Sequence, residues 1–365
     1  MALLAPVVVT PAAYEVSFGR VAGRVSPGTD RIVVSIGRRV LADKHVGSRS
    51  FDVAVDLPSR DVTIRVTAVD KDGRRRTTAI GPVFGLPRSS RPRAPPRQGR
   101  VDGGLAGTVA GYTREFAGVS GVYVQDLLSG RRAEVSSRVE FPAASTLKVA
   151  IAIEVLRALR GKPPPGSGLD RTMRAAIIPS SDRAANELLV WLGGSTSGGA
   201  AKVNATMHWL GMSQTDMYGG YLVTGVTPRF VGKRTTARDL ALLMRELHLA
   251  AEGRGRLARR GSFTPTKARF LLYLLAHTQV SRVDRFLHGE PAVVLQKAGW
   301  ITKARHDMGL VYWRGGVFLV VVLTWNERGV GISSDLLAGR VGRAAYRRFT
   351  SSAGSGTRSS AGSRS

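Results

Sequence analysis

The chain has no cysteine. That excludes disulfide staples, thiolate nucleophiles and cysteine-ligated zinc, and it leaves the redox compartment open. Acid is scarce: 26 aspartates and glutamates face 54 lysines and arginines, a formal net charge of +28. Such a field attracts anionic polymers. The arginines are scattered, however, and no aromatic-rich basic motif of a nucleic-acid module is present, so no specific nucleic-acid partner is expected. There are six histidines, none clustered with acids at metal-ligand spacing. The 43 glycines form no phosphate-loop pattern. No metal or nucleotide cofactor is therefore expected. No apolar run is long enough to span a membrane. The opening Met1-Ala2-Leu3-Leu4-Ala5-Pro6-Val7-Val8-Val9 is short and lacks a basic start, so it does not read as a whole signal peptide.

With 365 residues and 43% hydrophobic content, the chain has room for about two domains. The first part alternates. Ile32, Val34 and Ile36 share one parity, as do Phe51, Val53, Val55 and Leu57, then Val62, Ile64, Val66 and Ala68. Side chains two apart point to one face of a strand, and Pro27-Gly28 and Asp72-Gly73 supply turns. Residues 1–86 read as a small all-β sandwich of immunoglobulin-like character. Residues 87–101, proline-rich and basic, read as an extended linker, and the Ser/Gly/Arg-rich 351–365 as a disordered tail. Between them, 102–350 is mixed. A helix is expected over Leu105–Phe116 and a hairpin around Ser129-Gly130. Helices recur through Asn186–Trp191, Ala201–Leu210 and Ala237–Leu249. Strands are expected at Gly309–Arg314 and Val317–Thr324, and a last helix from Asp335 to about Phe349. This order implies an α/β (α+β) domain: an antiparallel sheet closed by both chain ends, flanked by helices, with a helical insertion.

Three segments carry chemistry. In Ser145-Thr146-Leu147-Lys148, the serine opens an almost wholly apolar run, Val149 to Leu156, which reads as a buried helix. Free N–H groups at a helix start favour developing negative charge, and Lys148 at i+3 shares the serine's face. A serine hydroxyl needs a partner to take its proton, and a lysine can do so when burial or a second cation lowers its pKa. The second segment is Ser180-Ser181-Asp182 with Asn186, the third Lys297-Ala298-Gly299-Trp300.

S-x-x-K, S-D-N and K-T-G in this order mark class A β-lactamases and penicillin-binding proteins. From about Leu105 to Phe349 the chain resembles the class A β-lactamase-like serine hydrolases, and Thr235-Thr236-Ala237-Arg238-Asp239 is similar to the family's threonine-led helix start. The resemblance implies the catalytic fold given above. It also implies acyl transfer through Ser145, with Lys148 as base, directly or through water. Lys297 supplies positive charge near a substrate carboxylate and helps hold Lys148 neutral. Lys297, Ala298, Gly299 and Trp300 form a substrate-lining strand, and the N–H groups of Ser145 and Trp300 form the oxyanion hole. The proton-relaying hydroxyl has two readings. A literal alignment selects Ser181, whereas the six-residue spacing to Asn186 selects Ser180, which we favour, with Asp182 and Asn186 on the substrate side.

The departures from the family pattern bear on activity. Ala298 stands where a threonine is usual. Between Met207 and Thr235 there is no glutamate, and Asp216, the one acid, reads as a turn residue. Without a water-activating carboxylate, an acyl-enzyme forms and lingers. His306 reads as a structural hydrogen-bonding residue beside Asp307, and Arg305 as a candidate replacement anchor for a carboxylate. The expected function is a serine hydrolase acting on β-lactams with weak deacylation. The rivals are a D,D-peptidase acting on a D-alanyl peptide and a non-catalytic binder of an anionic cell-wall polymer. The resemblance implies a secreted or cell-envelope location.

Overall fold

The computed structural model describes residues 2–94, 99–223, 232–259, 261–280 and 282–355. The chain divides into two compact units, Met1–Arg91 with Arg269–Tyr273, and Pro92–Ala268 with Leu274–Ser365.

The first unit is all-β. One sheet joins Val7–Thr10, Arg20–Arg24 and Ser50–Ala54; the other orders Glu15–Ser17, Arg75–Gly85, Asp61–Asp70, Thr29–Ile36 and Arg39–His45. The alternating residues face inward as their parity requires. Ile32, Val34, Val62, Ile64 and Val66 of the larger sheet share one core with Val21, Phe51 and Val53 of the smaller. The unit runs past residue 86. Arg88–Ser90 forms a 3-10 turn in which the Ser90 hydroxyl donates to Pro87 O at 2.5 Å and Ser90 is buried. At the far end of the expected linker, Asp102 N and Arg132 O bond at 2.8 Å, as do Arg132 N and Arg100 O at 2.9 Å. Those bonds attach residues 100–102 to the second unit. The expected linker is thus shorter than 87–101, and its positions 95–98 lie outside the described residues.

The second unit is built on a five-stranded antiparallel sheet. Its order is Arg132–Val135, Val119–Asp126, Gly316–Trp325, Ala304–Trp313, Ala292–Ile301. Early and late strands meet in the middle, so both ends of the domain close one sheet. The first helix, Gly103–Glu115, is capped by the Asp102 side chain on Leu105 N at 3.1 Å. It packs with the last helix, Ile332–Ser355, on one face of the sheet, where Leu105, Val109, Val124, Val320, Val341 and Phe349 share a core. That last helix passes the expected end at Phe349, because the Thr350 and Ser351 hydroxyls bond back to the Tyr346 and Arg347 carbonyls. Residues 351–355 are helical rather than tail, and 356–365 lie outside the described residues.

The insertion between the early and late strands is helical. Lys148–Ala158 buries Val149 through Ile153, Val155 and Leu156. Each large apolar side chain there contributes about 1.5–3 kcal/mol over its exposed state. Around it lie Gly168–Ile177, Asp182–Gly193 and Thr196–Leu210, while Ala237–Ala250 packs on the five-stranded sheet. Ser167, Ser181, Ser195 and Thr236 each cap their helix with a side-chain oxygen, an arrangement worth about 1 kcal/mol apiece. A small sheet joins Phe141–Pro142, Lys233–Thr235 and Asp216–Met217. Among the described residues no helix is long and apolar enough to cross a membrane.

Candidate active site

Ser145 lies in a 3-10 turn, Ala144–Leu147, immediately before the helix that begins at Lys148. The expected position was the α-helix start itself. The difference follows from the tighter bonding of the entry: Lys148 N reaches Ser145 O and Thr146 O, and Ala144 has φ +47°. A positive φ is uncommon for alanine and stores strain at the residue before the serine. The lead-in is held from two sides. Ala143 N donates to Lys233 O at 2.9 Å, and His306 Nε2 donates to Pro142 O at 2.6 Å. The Ser145 hydroxyl is half-buried and makes no hydrogen bond to a described residue.

The strand Ala292–Ile301 passes beside this turn. A Cβ placed on Gly299 would lie 2.9 Å from Ser145 N and 3.1 Å from Thr146 N, so only glycine lets the two backbones meet. Lys297, two residues earlier, is on the same face of the strand. The strand is the last in its sheet and pairs without a bulge to Ala304–Trp313. In such a strand the N–H and C=O of one residue point the same way, alternately toward and away from the partner. Gln296 O accepts from the Thr278 hydroxyl at 3.1 Å, outside the ladder. By parity Ala298 and Trp300 also offer their main-chain groups to that open edge. The Trp300 side chain is 62% exposed.

Two buried amines converge on one hydroxyl. Lys148, with no exposed surface, donates to Ser180 O, to Ser180 Oγ at 3.2 Å and to Asp182 Oδ1 at 2.6 Å. Lys297, 2% exposed, lies 2.7 Å from Ser180 Oγ and donates to Ala298 O at 2.8 Å. Ser180 takes φ +62°, which turns its side chain back toward the amines. Ser181 instead caps the following helix, its Oγ accepting from Ala184 N at 3.2 Å. The hydroxyl between the lysines is therefore that of Ser180. Burial pulls the Lys148 pKa down, and the Asp182 carboxylate opposes that pull. Burial, reinforced by the Lys148 charge, lowers Lys297 to about 7. Ser145, Lys148, Ser180, Asp182, Lys297 and Gly299 thus meet in one neighbourhood, although they come from three parts of the chain.

A family model described as the beta-lactamase enzyme family matches residues 105–163 and 168–349. The chain belongs to this family. Among solved structures the chain is similar to a PBP-A mutant captured as an acyl-enzyme with penicillin G, at 21% identity and TM-score 0.57, over 70% of this chain and 100% of that one. It is also similar to the β-lactamase of Sphaerobacter thermophilus, at 23% identity and TM-score 0.54, over 67% of this chain and 96% of that one. A third is a class A β-lactamase of Mycobacterium abscessus, at 18% identity and TM-score 0.55, over 67% and 99%. At these identities the likeness is one of fold. No curated protein sequence matches the chain.

Against the family pattern, several residues do other work. Asn186, expected on the substrate side, has both ends of its amide engaged by one residue: Nδ2 donates to Tyr221 O at 2.9 Å, and Oδ1 accepts from Tyr221 N at 2.6 Å. It is a clamp on that segment. Arg305, considered as a carboxylate anchor, is ion-paired to Asp335 at 3.0 Å, and Asp335 also meets Arg282 at 2.6 Å. Asp216 sits in the small sheet between His208 at 2.9 Å and Arg234 at 2.8 Å, a structural ion pair. His306 is fully engaged. Its Nδ1 accepts from Thr324 N at 3.2 Å while Nε2 donates, which fixes one neutral tautomer, and burial lowers its pKa to about 4. Asp307 accepts from Arg282 N and Val283 N at 2.9 Å each, and burial raises its carboxyl to about 6.

Two residues of the site escaped the sequence reading. Lys233 is buried, donates to Gly220 O at 2.6 Å and lies 4.3 Å from the centre of the Tyr221 ring. Lys148 lies 4.7 Å from the same ring centre. Burial brings Lys233 down to about 8. Period-two parity from the buried Thr235 was the one available signal for Lys233. Tyr221 follows two glycines and carries no periodic signal at all.

Proposed function

We propose that this protein forms an acyl-serine at Ser145 with β-lactams or D-alanyl peptides and releases the acyl group slowly. One observation carries the reading: the Ser180 hydroxyl lies within hydrogen-bond range of two buried lysine amines, on the strand face where Gly299 abuts the Ser145 backbone. A nucleophile, a proton path and main-chain donors for an oxyanion are the parts that acyl transfer requires. Ser145 N and Trp300 N are the donors in this reading, and Lys297 with the Ala298 main chain lines the substrate strand.

Slow deacylation has its own support. From Met217 to Arg238 the sequence holds no aspartate or glutamate. Beside Lys148 that segment contributes the Tyr221 ring, which does not activate water, and the one carboxylate on the amine, Asp182, is held in an ion pair with it. That favours a penicillin-binding or D,D-peptidase type of enzyme over an efficient β-lactamase. The similarity to PBP-A, whose mutant was captured with penicillin G bound covalently, agrees with this choice. Such substrates lie outside the cytoplasm, so we place the working protein in the envelope or the medium. We read the N-terminal β-unit as an immunoglobulin-like spacer, and the net charge of +28 as attraction to anionic wall polymers.

Intact-mass measurement after incubation with fluorescent penicillin tests the reading. One adduct per chain, abolished in Ser145→Ala, is expected. A chromogenic cephalosporin should then give one stoichiometric burst with little turnover. A folded protein that never gains the adduct would refute acyl transfer, and sustained turnover would refute slow release.

A further inference from the structure

The acyl-serine reading leaves open which lysine takes the serine proton, and the hydrogen-bond directions around Ser180 decide between them. A hydroxyl has one proton to donate. The described partners of Ser180 Oγ are the amines of Lys148 at 3.2 Å and Lys297 at 2.7 Å. If both amines were ammonium, both would donate to this half-buried oxygen, and its own proton would have only solvent to bond. A neutral amine gives that proton an acceptor inside the site.

Lys148 is not that amine. Three acceptors surround its nitrogen: Ser180 O, Ser180 Oγ and the Asp182 carboxylate at 2.6 Å. Three acceptors match the three protons of an ammonium, and one of them carries the opposite charge. Lys297 has two neighbours, Ser180 Oγ and Ala298 O, and no carboxylate at ion-pair range. Donation to Ala298 O and acceptance from Ser180 O–H satisfy a neutral amine.

We propose that Asp182 holds Lys148 as the ammonium, and that Lys297, reached through the Ser180 hydroxyl, is the amine that receives the Ser145 proton. This rests on the acyl-serine reading above. It reverses the roles the family pattern implies for the two lysines, and the cause is an aspartate at 182.

The step balances. The Ser145 Oγ–carbon bond forms as the Ser145 O–H breaks. That proton passes to Ser180 Oγ while the Ser180 proton passes to Lys297 Nζ. When the substrate C–N bond breaks, the nitrogen keeps the electron pair, and the same path returns a proton to it. The charged groups around Lys297 are Lys148 at the start of its helix, Asp182 at the start of the helix after Ser181, Asp307 from the adjoining strand and Arg282 from the turn before Lys297's own strand. Two are cations, and one of the two anions, Asp182, is already paired with Lys148 at 2.6 Å.

Lysine Nζ and Cε resonances, assigned through the bonded chain in the unmodified full-length protein, test the protonation order directly. Lys297 should lose its proton near pH 7 and Lys148 at higher pH; the opposite order overturns the proposal. Charge-preserving variants test the chemistry with fluorescent penicillin. Lys297→Arg keeps the charge and removes the base, so acylation should fall about 100-fold or more at every pH. Lys148→Arg keeps the Asp182 pair and should lose less acylation than Lys297→Arg at every pH. The reverse pattern, in variants that melt like the parent, overturns the proposal. Absence of any adduct on the parent protein would remove the acyl-serine reading, and the titration order would still decide which amine is neutral.

Discussion

Replacement of Asn186 by alanine is the sharpest probe of how the pocket is held. The amide makes two hydrogen bonds, at 2.9 and 2.6 Å, to the main chain of Tyr221, a residue 6% exposed. Two such bonds contribute about 2 kcal/mol net, and an orphaned buried N–H or C=O costs about 1–3 kcal/mol more. A loss of about 2–4 kcal/mol is therefore expected. For a unit of this size that corresponds to a fall of roughly 5–12 °C in melting temperature. All five tryptophans, Trp191, Trp209, Trp300, Trp313 and Trp325, belong to the second unit. Indole fluorescence in a urea titration thus reads that unit alone. Asn186→Asp retains an acceptor for Tyr221 N and loses the donor, so it should fall between alanine and the parent. A loss below about 0.5 kcal/mol in the alanine variant would mean that water replaces the clamp, and the reasoning would fail. The same variant should shorten the life of the penicillin adduct, because the ring beside Lys148 is no longer pinned and water gains entry.

Three further outcomes are expected. Gly299→Ala would set a Cβ 2.9 Å from Ser145 N, so adduct formation should drop at least about tenfold with only the modest destabilisation of an overpacked contact, about 1–3 kcal/mol, measured by stopped-flow and melting. His306→Ala removes bonds to Pro142 O and Thr324 N and an edge contact to Phe141 at 5.9 Å; a loss of about 2–4 kcal/mol in urea is expected, and because burial holds His306 near 4, the parent's acylation profile should show no histidine limb between pH 5 and 7. Lys297 has a folded-state pKa of about 7, below its ordinary 10.5. The unfolded chain therefore binds the extra proton between those values, so this group's contribution to stability rises with pH across that window and its penalty is complete below 7. Lys297→Met should flatten that slope in urea titrations taken from pH 7 to 10.

Much of this site was legible because its parts are local. Ser145 and Lys148 lie in one turn, and an apolar run after them can only be a buried helix. The choice between Ser180 and Ser181 rested on spacing to Asn186; backbone geometry supplies the physical ground, since φ +62° at Ser180 aims one hydroxyl at the lysines while Ser181 serves the helix end. Lys233 and Tyr221 were illegible for a different reason. Their contacts depend on strand register, Met217 opposite Lys233 and Phe141 opposite Thr235, and no local pattern encodes register between separate segments. Asn186 sat at its expected position, yet its partner is a main chain 35 positions on. In the fold, the interior of each helix was readable and the ends were not: Leu105–Phe116 became Gly103–Glu115, and Asp335–Phe349 became Ile332–Ser355. Caps and hydroxyl back-bonds set those limits, and hydrophobic periodicity does not report them.

The sheet beside Ser145 is one strand short. Its outermost ladder turns the main-chain groups of Ala298 and Trp300 to the open edge, where Ala298 O already accepts from Lys297 Nζ, and an extended peptide is the shape that completes it. A compact ring satisfies fewer of those groups than a chain does. Peptides that only dock there, without a bond to attack, should raise the melting temperature in proportion to the logarithm of their concentration.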